Sequence, residues 1–183
     1  PKVFFPTGQG PNERGAGRVH VRQAIEASQR RMETHYVDLY QVHCWDNLTP
    51  LEETLDTLDS LVRAGKVRYI GASNYTAWQL ERSMAVSRQN GRARFVTLQP
   101  YYSLVGRDIE HEIVPVCRHH GIGILPWSPL AGSFLSGKYR RGNPRPEESR
   151  RSDPTKAFIP IDEEKSYDVI EALFEIGAAH EAT

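Results

Sequence analysis

Four apolar runs in this 183-residue chain each stop on a group able to bond to, or stack against, a small polar molecule. "YVDLYQVH" ends on His43, with Cys44, Trp45 and Asp46 directly after it. "VRYIGASN" ends on Ser73 and Asn74, "TLQ" on Gln99, and "ILPWS" on Trp127 and Ser128. A neutral imidazole donates and accepts hydrogen bonds, as do hydroxyl and primary amide groups, and an indole offers a flat apolar face. Taken singly, such residues are commonly satisfied loop residues. Four at equivalent places point to one shared site. Metal chemistry is not indicated, because Cys44 and Cys117 lie far apart with neither a CxxC nor a metal-ligand spacing.

Groups of this kind meet only if the strands carrying them run side by side in one direction. The patterning predicts that arrangement. Residues 20–32 place Val21, Ala24, Ile25 and Ser28 on one helical stripe. Residues 36–43 read as a strand apolar on both faces, as parallel strands are. A helix over 49–66 is expected to start with Thr49 as N-cap and Pro50 at its first position, and to end at Gly65. Its apolar stripe is Leu51, Leu55, Leu58 and Leu61 with Val62. Strands over 67–75, 94–100 and 122–130 alternate with helices over 77–89 and 109–121, the latter expected to kink at Pro115. A last helix over 166–177 is expected to turn Val169, Ile170, Leu173 and Phe174 inward. Strands separated by helices of this length imply βαβ crossovers and a parallel sheet, where functional groups gather at strand ends.

Lys and Arg together number 23, as do Asp and Glu. That balance points to no nucleic-acid partner and no anionic membrane surface. The basic stretch 137–156 is the exception and reads as a solvated loop. No apolar run approaches the roughly 18 residues of a membrane span, and the two separated thiols suit a reducing, cytoplasmic setting. The expected organisation is a single domain over 1–183. The chain opens "PKVFFP" without an initiator methionine, and Thr183 would serve better as a helix N-cap than as a natural terminus. Both ends are therefore expected to be cut.

Four segments taken in order, "YVDLYQVH", "GKVRYIGASNY", "TLQPYYS" and "PWSPLAGSFLSGKY", resemble successive signatures of the aldo-keto reductases. The resemblance is to the branch with a long loop after the seventh strand, which includes bacterial oxidoreductases and potassium-channel β subunits. It implies an α/β fold, the (β/α)8 TIM barrel, here incomplete and lacking the first strands and the last. It also implies NADPH as cofactor, with NADH not excluded, a small-molecule carbonyl substrate, and hydride transfer between carbonyl and alcohol. By motif, His43 matches the histidine that orients the substrate oxygen, and Lys2 in "PKVFFPTGQG" matches the catalytic lysine. An exposed lysine beside a chain end is the other reading of Lys2. Ser73, Asn74 and Gln99 match the residues that hold the nicotinamide carboxamide, and Trp127 matches the aromatic on which the ring stacks. Ser128, Pro129, Leu130, Ala131 and Gly132 match the turn that meets the pyrophosphate, with Lys138 adding a positive charge there. Trp45 either lines the substrate pocket or covers the barrel rim.

These roles have physical grounds. Amide and hydroxyl groups fix a nicotinamide in rotation, a flat aromatic fixes its height, and free backbone amides in a small-residue turn suit phosphate. The family's proton-donating tyrosine and its aspartate have no counterpart in this chain. Tyr40, Tyr75 and Tyr101 read as packing or loop residues. The basic residues that clamp the adenosine 2′-phosphate are missing too, and the expected sheet has two open edges. Two other readings stay open: reduction of an enoyl group in a nucleotide-linked deoxysugar, or a cofactor-sensing regulatory subunit. A DxxxxY element ahead of this segment would favour catalysis. Oligomeric state and substrate identity are not encoded in these motifs.

Overall fold

The computed structural model describes residues 1–144, 146–147 and 159–182. Within the basic stretch 137–156, residues 145 and 148–156 lie outside the described residues, as does Thr183. The chain forms two compact units, one made of Pro1–Pro100 with Glu110–Leu125 and the other of Tyr101–Ile109 with Pro126–Thr183.

In the first unit, strands and helices alternate: β1 (Lys2–Val3), α1 (Arg18–Arg31), β2 (Val37–Val42), α2 (Leu51–Arg63), β3 (Val67–Ser73), α3 (Ala77–Gln89), β4 (Phe95–Gln99), α4 (Ile113–His120) and β5 (Gly123–Ile124). The five strands pair in chain order, every neighbour parallel, so all their C-terminal ends lie along one rim. This is the βα arrangement of a (β/α)8 barrel, five strands of the eight that close such a barrel. Among the described residues the sheet is open, with β1 and β5 at its edges.

The helices cover one face. Tyr40, Val42, Leu55, Leu58, Ile70, Ala72, Leu80 and Leu98 are essentially fully buried there, and Ile25 and Val21 pack in from α1. Full burial of such a leucine contributes about 1.5–3 kcal/mol. On the opposite face Gly71 is required by close approach. A Cβ at Gly71 would lie 2.2 Å from Thr97 Oγ1, 3.0 Å from the Thr97 carbonyl oxygen and 3.2 Å from Gln41 Cγ.

Three local expectations need correction. Thr49 does not cap α2, because its hydroxyl donates to Asp46 Oδ2 at 2.8 Å; Pro50 occupies the cap position and the helix starts at Leu51. Pro115 does not kink a long helix. Asp108–Glu110 is a separate 3-10 turn, and Pro115 sits in the first turn of α4, where no N–H is needed. In the second unit α5 (Glu163–Ala179) buries Ser166 and Ile170, with Val169 packed beside them, while Leu173 and Phe174 are 37% and 42% exposed. The inward stripe is thus confined to the first half of the helix, and the Arg140 guanidinium sits 3.2 Å from the Phe174 ring centre.

Ala131, Phe134, Leu135, Tyr139 and Ile170 form the core of the second unit. Phe134 stacks on Tyr139 with ring centres 4.7 Å apart. Arg141 bonds to Glu164, Asp168 and Glu171 along one side of α5. No helix among the described residues is long and apolar enough to cross a membrane.

Candidate functional site

Strand register sets the geometry of the first unit's rim. Val3 pairs with Val42, Val42 with Ala72, Ala72 with Leu98, and Leu98 with Ile124. The next residue along each of the three central strands is His43, Ser73 or Gln99, so these stand at one level. Because side chains alternate, they share the face of Gln41, Gly71 and Thr97, away from the helices.

Hydrogen bonds weld these strand ends together. The Gln99 carbonyl accepts from the Ser73 hydroxyl at 2.7 Å and from the Asn74 backbone N–H at 3.1 Å. Asn74 Nδ2 donates to the His43 carbonyl at 3.1 Å and to Ser73 Oγ at 3.2 Å. Asn74 adopts a left-handed backbone (φ 56°), a conformation asparagine tolerates better than most residues. Ser73 is buried with its donor committed, Asn74 is exposed, and Gln99 is half-buried. Gln99 Oε1 is buried without a hydrogen-bond partner among the described residues. A buried acceptor in that condition suits an incoming N–H, since leaving it unmet costs about 1–3 kcal/mol.

Lys2 lies on β1 opposite Gln41 and is exposed. Partial burial lowers the His43 pKa below its usual 6.5, and the nearby Lys2 charge lowers it further. The imidazole is therefore neutral at pH 7, able to donate and accept. Lys2→Met removes the second cause, so the His43 titration midpoint, followed by NMR, is expected to move up towards 6.5. A midpoint unchanged by the substitution would separate the two residues electrostatically. The linkage sign follows: the unfolded chain takes up this proton first, so His43 costs stability as pH falls below 6.5 towards its folded value.

The acid beside the histidine is structural. Asp46 is held below the usual carboxylate range: burial works against this, but donors from Ala16, Leu48 and Thr49 outweigh it. Its oxygens accept from Ala16 N–H at 2.7 Å and Leu48 N–H at 2.9 Å, tying the segment after β1 to the segment after β2. Trp45 is half-buried and packs against Tyr75 and Trp78 at ring distances of 5.3 and 5.4 Å. Among the tyrosines, Tyr40 donates to the Val21 carbonyl at 3.0 Å, and burial raises the pKa of both Tyr40 and Tyr75.

Two rim residues were not singled out from sequence. Cys44 is half-buried; burial raises its thiol pKa, while an Asn74 hydrogen bond and the Lys2 charge pull it back. Phe5 meets the His43 ring edge-on at 4.8 Å. Adjacency to His43 was the available signal for Cys44, whereas Phe5 had none beyond following Lys2.

In the second unit, Trp127 is half-buried, with its ring 5.1 Å from that of Tyr101. Gly106 leaves room for this, since a Cβ there would lie 2.3 Å from the Tyr101 ring. Ser128, Ala131, Gly132 and Ser133 all have positive φ, so the backbone after Trp127 curls tightly, with the Ala131 N–H donating to the Ser128 carbonyl at 2.8 Å. Pro129 and Leu130 are exposed, Ala131 and Gly132 are buried, and Ser133 Oγ is buried without a partner among the described residues. Lys138 is exposed beside a hollow of about 480 Å³ lined by Ser136, Gly137, Phe174, Ala178 and Ala182. Among the described residues, no cluster of three His, Cys, Asp or Glu could hold a metal ion.

The profile of the Aldo/keto reductase family matches residues 2–183. The chain is 38% identical over 156 residues to the uncharacterized oxidoreductase YrpG of Bacillus subtilis, covering 83% of the chain and 48% of that protein. It is 37% identical to the putative aryl-alcohol dehydrogenase AAD16 of Saccharomyces cerevisiae, over 87% of the chain and 46% of that protein. To the versiconal hemiacetal acetate reductase of Aspergillus parasiticus it is 38% identical, over 68% of the chain and 36% of that protein. The chain spans about half, or less, of the length of these relatives.

Proposed function

The chain belongs to the aldo/keto reductase family, and from that premise we propose that the whole protein is an NADPH-dependent oxidoreductase interconverting small-molecule carbonyls and alcohols. The observation that carries this reading is the welded rim, on which Lys2, His43, Asn74 and Gln99 gather with a buried acceptor left open. The bound dinucleotide supplies the hydride. Gln99 Oε1 accepts from the carboxamide N–H, and the Ser73–Asn74–Gln99 seam keeps that acceptor in place. Trp127 carries the flat face of the ring. The turn Ser128–Gly132 takes the pyrophosphate, with the Ser133 hydroxyl as a further donor and Lys138 as a countercharge. His43, neutral at working pH, donates to the carbonyl oxygen and orients it. Trp45 lines the substrate side. The two free thiols, Cys44 and Cys117, support a cytoplasmic setting.

Cofactor fluorescence tests the assignment. Titrating NADPH into the full-length protein is expected to quench its tryptophan emission and shift the nicotinamide emission. Trp127→Ala is expected to weaken affinity about tenfold, as loss of one stacked aromatic contact worth 0.5–1.5 kcal/mol plus its buried area implies. Unchanged quenching and affinity in Trp127→Ala would remove the cofactor site from this turn.

A further inference from the structure

The backbone sets Tyr101 against Trp127. The two residues form a parallel β-bridge, so their side chains leave the chain on the same side. The Tyr102 N–H donates to the Trp127 carbonyl at 3.4 Å. The Tyr101 and Trp127 rings lie 5.1 Å apart and are tilted by 42°, inside the range of about 4.5–7 Å at which aromatic pairs attract. The phenol is also fixed at its far end. Its hydroxyl shares a 2.8 Å hydrogen bond with the hydroxyl of buried Ser103, whose oxygen accepts from the Val105 N–H at 3.3 Å. Ser103 is anchored in turn by a reciprocal pair of backbone bonds with Gly106, at 3.2 and 3.1 Å. Gly106 has no side chain to obstruct the ring: a Cβ there would lie 2.3 Å from Cε1 and 2.8 Å from Cζ of Tyr101. Any apolar side chain could cover part of an indole. The bonded hydroxyl does more, because a second point of attachment fixes the angle at which the phenol meets Trp127.

We infer that Tyr101 is a positioning residue: bonded to Ser103 and given room by Gly106, it sets the plane of the Trp127 indole and so the platform on which the nicotinamide stacks. This rests on the cofactor reading above. An indole free to turn about its two side-chain torsions must be ordered when a ligand arrives, and that ordering subtracts from affinity. Tyr101 moves the ordering into the folded protein. It acts through Trp127 and needs no contact with the cofactor.

A double-mutant cycle in the full-length protein tests this, with NADPH affinity read by isothermal titration calorimetry. Tyr101→Ala is expected to weaken binding about fivefold in the otherwise wild-type chain, within the span one aromatic contact accounts for. In the Trp127→Ala background the same substitution is expected to weaken it by less than about twofold. Gly106→Ala, which displaces the phenol without removing it, is expected to behave the same way and carries the cycle if Tyr101→Ala does not fold. Tyr101→Phe, which keeps the ring and loses only the bond to Ser103, is expected to recover most of the affinity. Equal losses in both backgrounds would overturn the inference, because general damage to the fold weakens binding whether or not the indole is present. Wild-type affinity in both Tyr101→Ala and Gly106→Ala would overturn it too. If Trp127→Ala alone leaves affinity unchanged, the cofactor reading fails and takes this role of Tyr101 with it.

Discussion

In the full-length protein, His43→Ala is expected to lower kcat by about 10²–10⁴-fold, the range removed with a positioned proton-transfer or hydrogen-bonding group, while NADPH affinity changes by less than about threefold. The separation follows from the geometry. Asn74 Nδ2 bonds to the His43 backbone carbonyl, which survives the substitution, so the seam from Ser73 to Gln99 keeps its partners. Only the imidazole is lost, along with its edge contact to Phe5. Steady-state kinetics on benzaldehyde with a parallel fluorescence titration of cofactor distinguishes the two effects. Collapse of cofactor binding with little change in kcat would reverse the assignment and make His43 a cofactor residue. His43→Gln, which restores a donor but not the imidazole position, is expected to recover part of the loss.

Gly71→Val is expected to be the most damaging substitution in the sheet. The first added carbon would lie 2.2 Å from Thr97 Oγ1 and 3.0 Å from the Thr97 backbone oxygen. The hydroxyl can rotate away, but the carbonyl belongs to β4 and cannot retreat without spreading the β3–β4 pair. Overpacking a filled interior costs about 1–3 kcal/mol, and here the cost falls two residues before Ser73 and Gln99. Loss of stability in urea unfolding and weaker NADPH binding are therefore expected together. Wild-type stability in Gly71→Val would mean that the strands are not packed this closely.

Much of this could be read from the chain because parallel strands announce themselves twice, as apolar runs and as the polar residues that stop them. His43, Ser73 and Gln99 fall on one level for that reason, and α3 spans the residues its periodicity predicts. What escaped depends on contacts between segments remote in sequence. Thr49 carries a cap residue's chemistry, but Asp46 takes its hydroxyl before the helix can. Leu173 and Phe174 fit an amphipathic pattern, yet only the first half of α5 has a core to meet. Pro115 reads as a mid-helix break until the chain shows that the helix begins two residues earlier. Phe5 looked like one more apolar residue after a strand, and only the fold places its ring against His43.

The asparagine seam carries one more implication. A primary amide has two hydrogens, and those of Asn74 already serve the His43 carbonyl and Ser73 Oγ, with the Cys44 thiol drawing on the same side chain. A visitor seeking a proton from that side chain must therefore displace an existing recipient. If it takes the one on His43, the β2 terminus is loosened at the moment of arrival. Occupancy beside Asn74 and the mobility of the histidine are then thermodynamically linked.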